Sequence, residues 1–514
     1  MPNVNSCKDV LPDARYVNVS FSADGEGFYY GRRDPGSGIR IRYHLLGTDV
    51  GDDPEVFGEG YGPGQWISAE ASDDGRYLLI EVSHGWARSE VWVRDLEADA
   101  PPARLFEGVD ARFSCAFAGD RLVVETDWQA PTGRVLSVDL GEDWSRWREI
   151  VPARDDAIQG VSAIAGQVFV HTLHDVLSRI ERYDLDGELL GELPLPGAGA
   201  AGTPSGDWDG DSAFFSFESF VDPPAIHRFD RASGEVSSWN RPQVPFDGSA
   251  YTVEQQWFSS KHGTRVPMFV VAREDVERDG DRPALLYGYG GFSVSLRPRF
   301  HPLWAWWIER GGVFALANLR GGSEFGEAWH RAGMLENKQN VFDDFLAAAE
   351  HLIEGGVTRP ERLAIQGGSN GGLLVGAVMT QRPALYRAVL CEFPDLDMVR
   401  YYAFDNNNPP ALLEYGDASD PDQFRFLVEY SPYQRVRDGE RYPAVLLTSG
   451  DRDTRVPPLQ ARKMTARLQA ATSSGRPVFL LYDTEAGHSG GKPLAKAIED
   501  LSVEAVFLAS QLSL

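Results

Sequence analysis

Ser369 stands between two pairs of glycines in "LAIQGGSNGGLLVGAV" (363–378). The segment Gly367-Gly368-Ser369-Asn370-Gly371 fits G-x-S-x-G, with strand-like "LAIQ" before it and helix-like "GLLVGAVM" after it. A strand that turns so sharply into a helix holds its serine at the tip, in strained backbone, with small residues where strand and helix approach. The hydroxyl then lies at a helix N-terminus, where the dipole favours a developing oxyanion. The competing reading, a glycine-rich phosphate loop, lacks the lysine and the spacing of such loops.

An alcohol is a poor nucleophile near neutral pH and needs a base. On this kind of turn the chain order is nucleophile, acid, histidine. Of the ten histidines only His488 follows Ser369, in "DTEAGHSGGKP" (483–493), directly after the last strand-like run. Asp451 and Asp453, in "SGDRDTRVPP" (449–458), both follow the strand-like "AVLLTSG", and spacing alone does not separate them. The chemistry such a set performs is acyl transfer through a covalent intermediate, with no metal or organic cofactor.

The elements that must position these residues fall into two halves. Residues 1–245 read as short strands broken by Gly/Asp turns, among them "GRYLLIEVS", "SEVWVRDL", "DRLVVETD" and "GQVFVHTL". The pattern repeats. A strand running to Asp95 ("VWVRDL") recurs at Asp139, Asp184 and Asp230, at intervals of 44, 45 and 46 residues. A second marker, the turn before an inner strand, recurs at "SADG" (22), "SDDG" (72), "AGDR" (118), "AGQV" (165) and "DGDS" (209). A period near 45 with about four strands per unit predicts a β-propeller with about five blades. Five blades can close a ring; in a larger ring a blade edge stays unpaired.

Residues 246–514 follow another pattern. Apolar runs such as "PALLYGY", "GGVFALANL", "RAVLCEF" and "PVFLLYDT" alternate with amphipathic stretches at 340–356, 459–472 and 493–512. Buried strands alternating with helices predict an α/β domain with a mostly parallel sheet.

The formal charge is −27, which disfavours nucleic acid and anionic membrane as partners. No apolar run is long enough to span a membrane, and no leader peptide is visible. Cys7, Cys115 and Cys391 are few and scattered, so neither a disulfide framework nor a cysteine zinc site is predicted. These features fit the cytoplasm, with the periplasm as the alternative if a leader preceded residue 1.

The motifs resemble the prolyl oligopeptidase family, the S9 serine peptidases. The matching stretches are "LLYGYGGF" (285–292), "ANLRGGSEFGEAWHRAG" (317–333), "NKQNVFDDF" (337–345), "GGSNGGLLV" (367–375), "TSGDRDTRVPPLQ" (448–460) and "DTEAGHSGGKP". The resemblance implies a propeller joined to an α/β-hydrolase domain, and short peptides as substrates. It implies Ser369 as nucleophile, Asp453 as orienting acid and His488 as base. The oxyanion hole would be the Asn370 N–H and the Tyr289 hydroxyl. Arg455, Phe292, Asp395 and Tyr415 would contact substrate.

Two departures stand out. The family places a proline-stacking tryptophan between "LDM" and "EYG"; here "LDMVRYYAFDNNNPPALLEYG" (396–416) holds none. Asp395 stands where the family has a small apolar residue; a carboxylate there disfavours proline and suits a basic side chain or an amino end, unless it caps the following helix. Altered specificity is therefore expected, with basic or small residues, or acyl-peptide hydrolase and esterase activity, as alternatives. The family also has seven blades against five repeats here, which implies a truncated chain or a shortened variant. A non-catalytic propeller scaffold is the alternative of another class.

Overall fold

The recurrent aspartate is a turn device. In the computed structural model, Asp95 Oδ1 accepts the N–H groups of Glu97 and Ala98 at 3.0 and 3.1 Å. Asp139 holds the Gly141 N–H at 3.0 Å, Asp184 those of Asp186 and Glu188, and Asp230 that of Ser233. Each side chain replaces a backbone acceptor and starts the hairpin that leads into an outer strand. The "SDDG" marker works in the same way. Ser72 Oγ accepts the Tyr77 N–H at 2.9 Å and Asp74 Oδ1 that of Arg76 at 3.0 Å.

The structure describes residues 9–11, 18–34, 36–86, 88–98, 100–141, 144, 146–276, 278–404, 409–488 and 492–514. Cys7, residues 405–408 of the tryptophan-free segment and residues 489–491 of the histidine loop lie outside them.

Five four-stranded antiparallel meanders span 19–57, 66–105, 113–151, 157–192 and 200–240. These are the predicted blades. Successive blades pack face to face through apolar clusters. One cluster joins Ile41 of the first blade with Ile80 of the second; others join Val91 with Leu122, Val135 with Val170, and Phe169 with Phe215. Among the described residues no apolar cluster joins the fifth blade to the first.

The remaining chain builds an eight-stranded sheet. Its strands are β1 (Tyr251–Ser259), β2 (Arg265–Arg273), β3 (Ala284–Tyr287), β4 (Val313–Ala317), β5 (Leu363–Gly368), β6 (Ala388–Glu392), β7 (Ala444–Gly450) and β8 (Val478–Asp483), in the order β1-β2-β4-β3-β5-β6-β7-β8. The β1–β2 and β2–β4 pairs are antiparallel; every later pair is parallel. Helices α1 (Pro302–Glu309) and α5 (Leu494–Leu512) cover one face, and α2 (Gln339–Glu354), α3 (Asn370–Gln381) and α4 (Leu459–Ala471) the other. Helix α1 carries "PLWAWWIE", which is apolar on nearly every side. It has no polar stripe to reveal its period, and periodicity does not predict it.

Parallel strands all end at one edge of the sheet, and crevices for ligands form there. The loops after β3, β5, β7 and β8 carry Tyr289, Ser369, Asp453 and His488 to that edge. Among the described residues no helix is long and apolar enough to cross a membrane.

Candidate active site

Ser369 lies at the β5–α3 corner with φ 57° and ψ −119°. A non-glycine residue at positive φ is strained. The surroundings hold it there. The Ser369 N–H donates to Glu392 O at 2.9 Å, and the Ser369 carbonyl accepts Gly372 N–H at 2.8 Å. A methyl group on Gly367 would collide with the Gly371 carbonyl, and one on Gly372 would lie 2.5 Å from Pro394 Cβ. The glycines exist for this close approach of strand and helix.

His488 Nε2 lies 3.1 Å from Ser369 Oγ, and His488 Nδ1 lies 2.7 Å from Asp453 Oδ2. The other Asp453 oxygen accepts the N–H groups of Arg455 and Val456 at 2.9 and 2.8 Å. Asp451 points elsewhere: it is exposed and takes the Tyr482 hydroxyl. Phe393, at φ 34°, packs edge-on against the His488 ring at 4.8 Å.

The Tyr289 hydroxyl faces the Ser369 side chain, and burial raises it well above the ordinary phenol range, so it stays a donor. Asn370 is the first residue of α3, where N–H groups have no acceptor within the helix. Its side chain bridges two loops, donating to Tyr289 O at 2.6 Å and accepting the Tyr415 hydroxyl at 3.1 Å. Tyr415 thus positions Asn370, while its ring meets Phe292 edge-on at 5.3 Å. Changing Tyr289 to Phe is expected to lower kcat about 10²–10³-fold with little change in KM, since this hydroxyl would bind charge that develops only in the transition state. Steady-state kinetics on one fluorogenic peptide, with the melting temperature as control, checks this.

The loop carrying Tyr289 and Phe292 is anchored by a buried charged cluster that motif spacing alone does not reveal. Lys338 Nζ donates to Gly290 O at 2.9 Å and lies 3.4 Å from Glu414 Oε1. Glu414 Oε2 lies 2.8 Å from His330 Nε2, and Glu327 reaches Nδ1 of the same ring at 3.2 Å. Burial pushes the His330 imidazole down, but Glu327 and Glu414 overcome it and bring its pKa to about 9. A histidine in the unfolded chain titrates near ~6.5. The folded value is the higher one, so this stabilisation is complete below the unfolded pKa and is lost as pH rises through about 9. Melting temperature is therefore expected to fall between neutral pH and the region above 9, and His330→Gln to flatten that slope; calorimetry across the range checks it.

Ser369, His488, Tyr289 and Arg455 open into one cavity of about 1350 Å³ whose other walls come from the blades. Phe292, Tyr415 and Asp395 line it too. The chain after Asp395 runs through a turn at 398–400 before the helix Tyr401–Phe404, so Asp395 caps no helix there. Trp86, a wall residue outside the quoted motifs, lies on a loop of the second blade, 45% exposed and 5.8 Å edge-on from Phe292. Among the described residues no group of three or more His, Cys, Asp or Glu is placed to hold a metal ion.

Comparison with known proteins agrees with this architecture. Residues 298–514 match the model of the prolyl oligopeptidase family, and residues 1–242 that of the prolyl oligopeptidase N-terminal β-propeller domain. The prolyl endopeptidase of Elizabethkingia miricola is 33% identical over 503 residues, covering 95% of this chain and 71% of its own. The chain belongs to the prolyl oligopeptidase family. A solved structure from a study of two prolyl endopeptidases and their inter-domain dynamics superimposes with a TM-score of 0.94 at 41% identity, covering 98% of this chain and 76% of that one. Prolyl oligopeptidase B from Galerina marginata, bound to a 35-residue hydrolysis and macrocyclization substrate, superimposes with a TM-score of 0.91 at 28% identity, covering 98% and 73%. The family is one of serine-type oligopeptidases.

Proposed function

We propose that this oligopeptidase hydrolyses short peptides through an acyl-enzyme on Ser369. His488 takes the Ser369 proton as the hydroxyl attacks the peptide carbonyl, and Asp453 holds the imidazole in the required tautomer. Tyr289 and the Asn370 N–H receive the oxyanion. His488 then gives the proton to the leaving amine, and water enters by the same route in reverse. The observation that carries this reading is the continuous run of hydrogen-bond contacts Asp453–His488–Ser369, at 2.7 and 3.1 Å.

The residue before the cut would lie between Phe292, Tyr415 and Trp86, with Arg455 on the adjoining peptide carbonyl. Three aromatic faces suit a flat, apolar ring, and the related prolyl endopeptidases support proline. The missing tryptophan of the 396–416 segment is thereby replaced by one from the propeller. A second reading rests on Asp395, whose carboxylate lines the same cavity and would favour a basic side chain. Mass-spectrometric mapping of cuts in a mixed peptide pool separates the two. The expected result is cleavage predominantly after proline, with a minor set after lysine and arginine that disappears in Asp395→Asn. Cuts without proline enrichment would sink the first reading. Labelling by a fluorophosphonate probe, tested in parallel, reports on the nucleophile independently of specificity.

A further inference from the structure

A side compartment opens off the main cavity. It has a volume of about 280 Å³ and lies between the third to fifth blades and the loops after β3 and β4. The two spaces share Arg112, Gln159, Thr203 and Ser293 as walls. Nothing acidic lines the compartment, although the whole chain carries a formal charge of −27.

Its ionised lining groups are both cations, Arg112 and Arg297. Arg297 donates one N–H to Ala201 O at 2.8 Å; the Glu218 carboxylate offsets part of its charge from a distance, and among the described residues no carboxylate lies within 4.0 Å of its guanidinium. Arg112 pairs with Glu125 at 3.1 Å. His171 is buried at the back, with Nε2 on Ser178 Oγ at 2.9 Å and Nδ1 facing Thr203 Oγ1 at 3.4 Å. Burial, with Arg297 beside it, holds this imidazole neutral, at about 3. A largely desolvated guanidinium with no carboxylate in ion-pair contact is costly, and the cost falls when an anion enters.

We propose that this compartment binds the α-carboxylate of the substrate's C-terminal residue, with Arg297 and Arg112 as its charged contacts. A peptide has one α-carboxylate, and it always belongs to the fragment that leaves first. The acidic protein repels free anions from solution, whereas a carboxylate tethered to a peptide already held in the main cavity arrives at high effective concentration. The volume is small for a whole ligand, below the roughly 300–1,000 Å³ of ordinary small-molecule sites, and suits one end of a longer molecule. The enzyme then favours peptides whose free end lies within reach of the cut.

The inference rests on the peptidase reading, and its test keeps the two apart. Ser369→Ala protein leaves peptides intact, so binding is measured without turnover. Free-acid peptides of graded length are expected to bind about tenfold or more tightly than the matching C-terminal amides at one or two lengths, as a charge-assisted contact predicts. Adding Arg297→Gln, checked for an unchanged melting temperature, brings the acids to the amide value. Inorganic phosphate competes with the acids and leaves amide binding alone. Equal affinity for acids and amides at every length overturns the proposal; phosphate binding with equal acid and amide affinities would assign the compartment to free anions instead. Turnover of the amide peptides by unaltered protein judges the peptidase reading separately.

Discussion

Ser369→Ala protein is expected to lose about six orders of magnitude in peptide turnover, as enzymes built on such a triad do when the nucleophile is removed. The remaining machinery still binds substrate, so KM for the residual reaction should change little. The fold should hold as well. Ser369 is fixed by its backbone contacts with Glu392 and Gly372, and its hydroxyl faces His488 and Tyr289. Turnover of a quenched peptide and covalent labelling by a fluorophosphonate should vanish together. Retention of more than about one hundredth of the activity, with labelling elsewhere, would remove Ser369 from the chemistry.

Asp453→Asn is expected to lower kcat by about 10⁴-fold, and Asp451→Asn to leave it within a few-fold. The loop geometry explains the difference. Two N–H groups, from Arg455 and Val456, converge on one oxygen of Asp453. An asparagine keeps its carbonyl oxygen toward those donors, which leaves its NH₂ facing His488 Nδ1. That nitrogen must then accept a hydrogen bond, so Nε2 carries the proton and cannot take one from Ser369. Asp451 takes the Tyr482 hydroxyl at the surface. Kinetics of both variants, with matched melting temperatures, decide it. Equal losses in the two would mean that the loop acts as a unit.

The contact of Ser369, His488 and an aspartate was legible because chain order restricts it severely: one histidine follows the serine, and a pair of aspartates precedes that histidine in the loop after β7. Spacing left the pair open, because both residues belong to the same turn; the resemblance chose Asp453, and His488 faces it. The blades were legible for a similarly local reason, since an aspartate that caps its own hairpin must recur wherever the hairpin does. The inner strands of each blade, such as Tyr77–Ser83 and Arg134–Asp139, are apolar and stood out. Short outer strands such as Glu55–Phe57 and Val236–Asn240 hold no fully buried residue and carry no such pattern. Trp86 was hidden because it comes to Phe292 only through the packing of one half on the other. The Lys338–Glu414–His330 cluster was hidden differently. Its members sit inside quoted motifs, but their convergence beneath Gly290 belongs to the tertiary fold.

The corner at Ser369 leaves no space for even a methyl group on Gly367 or Gly372. Drift at those glycines is thus barred by backbone collision, whether or not the enzyme turns over. A descendant that had abandoned catalysis would keep its glycine pairs for as long as it kept its sheet, while its histidine loop was free to change. In surveys of such chains, the histidine loop is therefore the better indicator of a living enzyme than the serine signature.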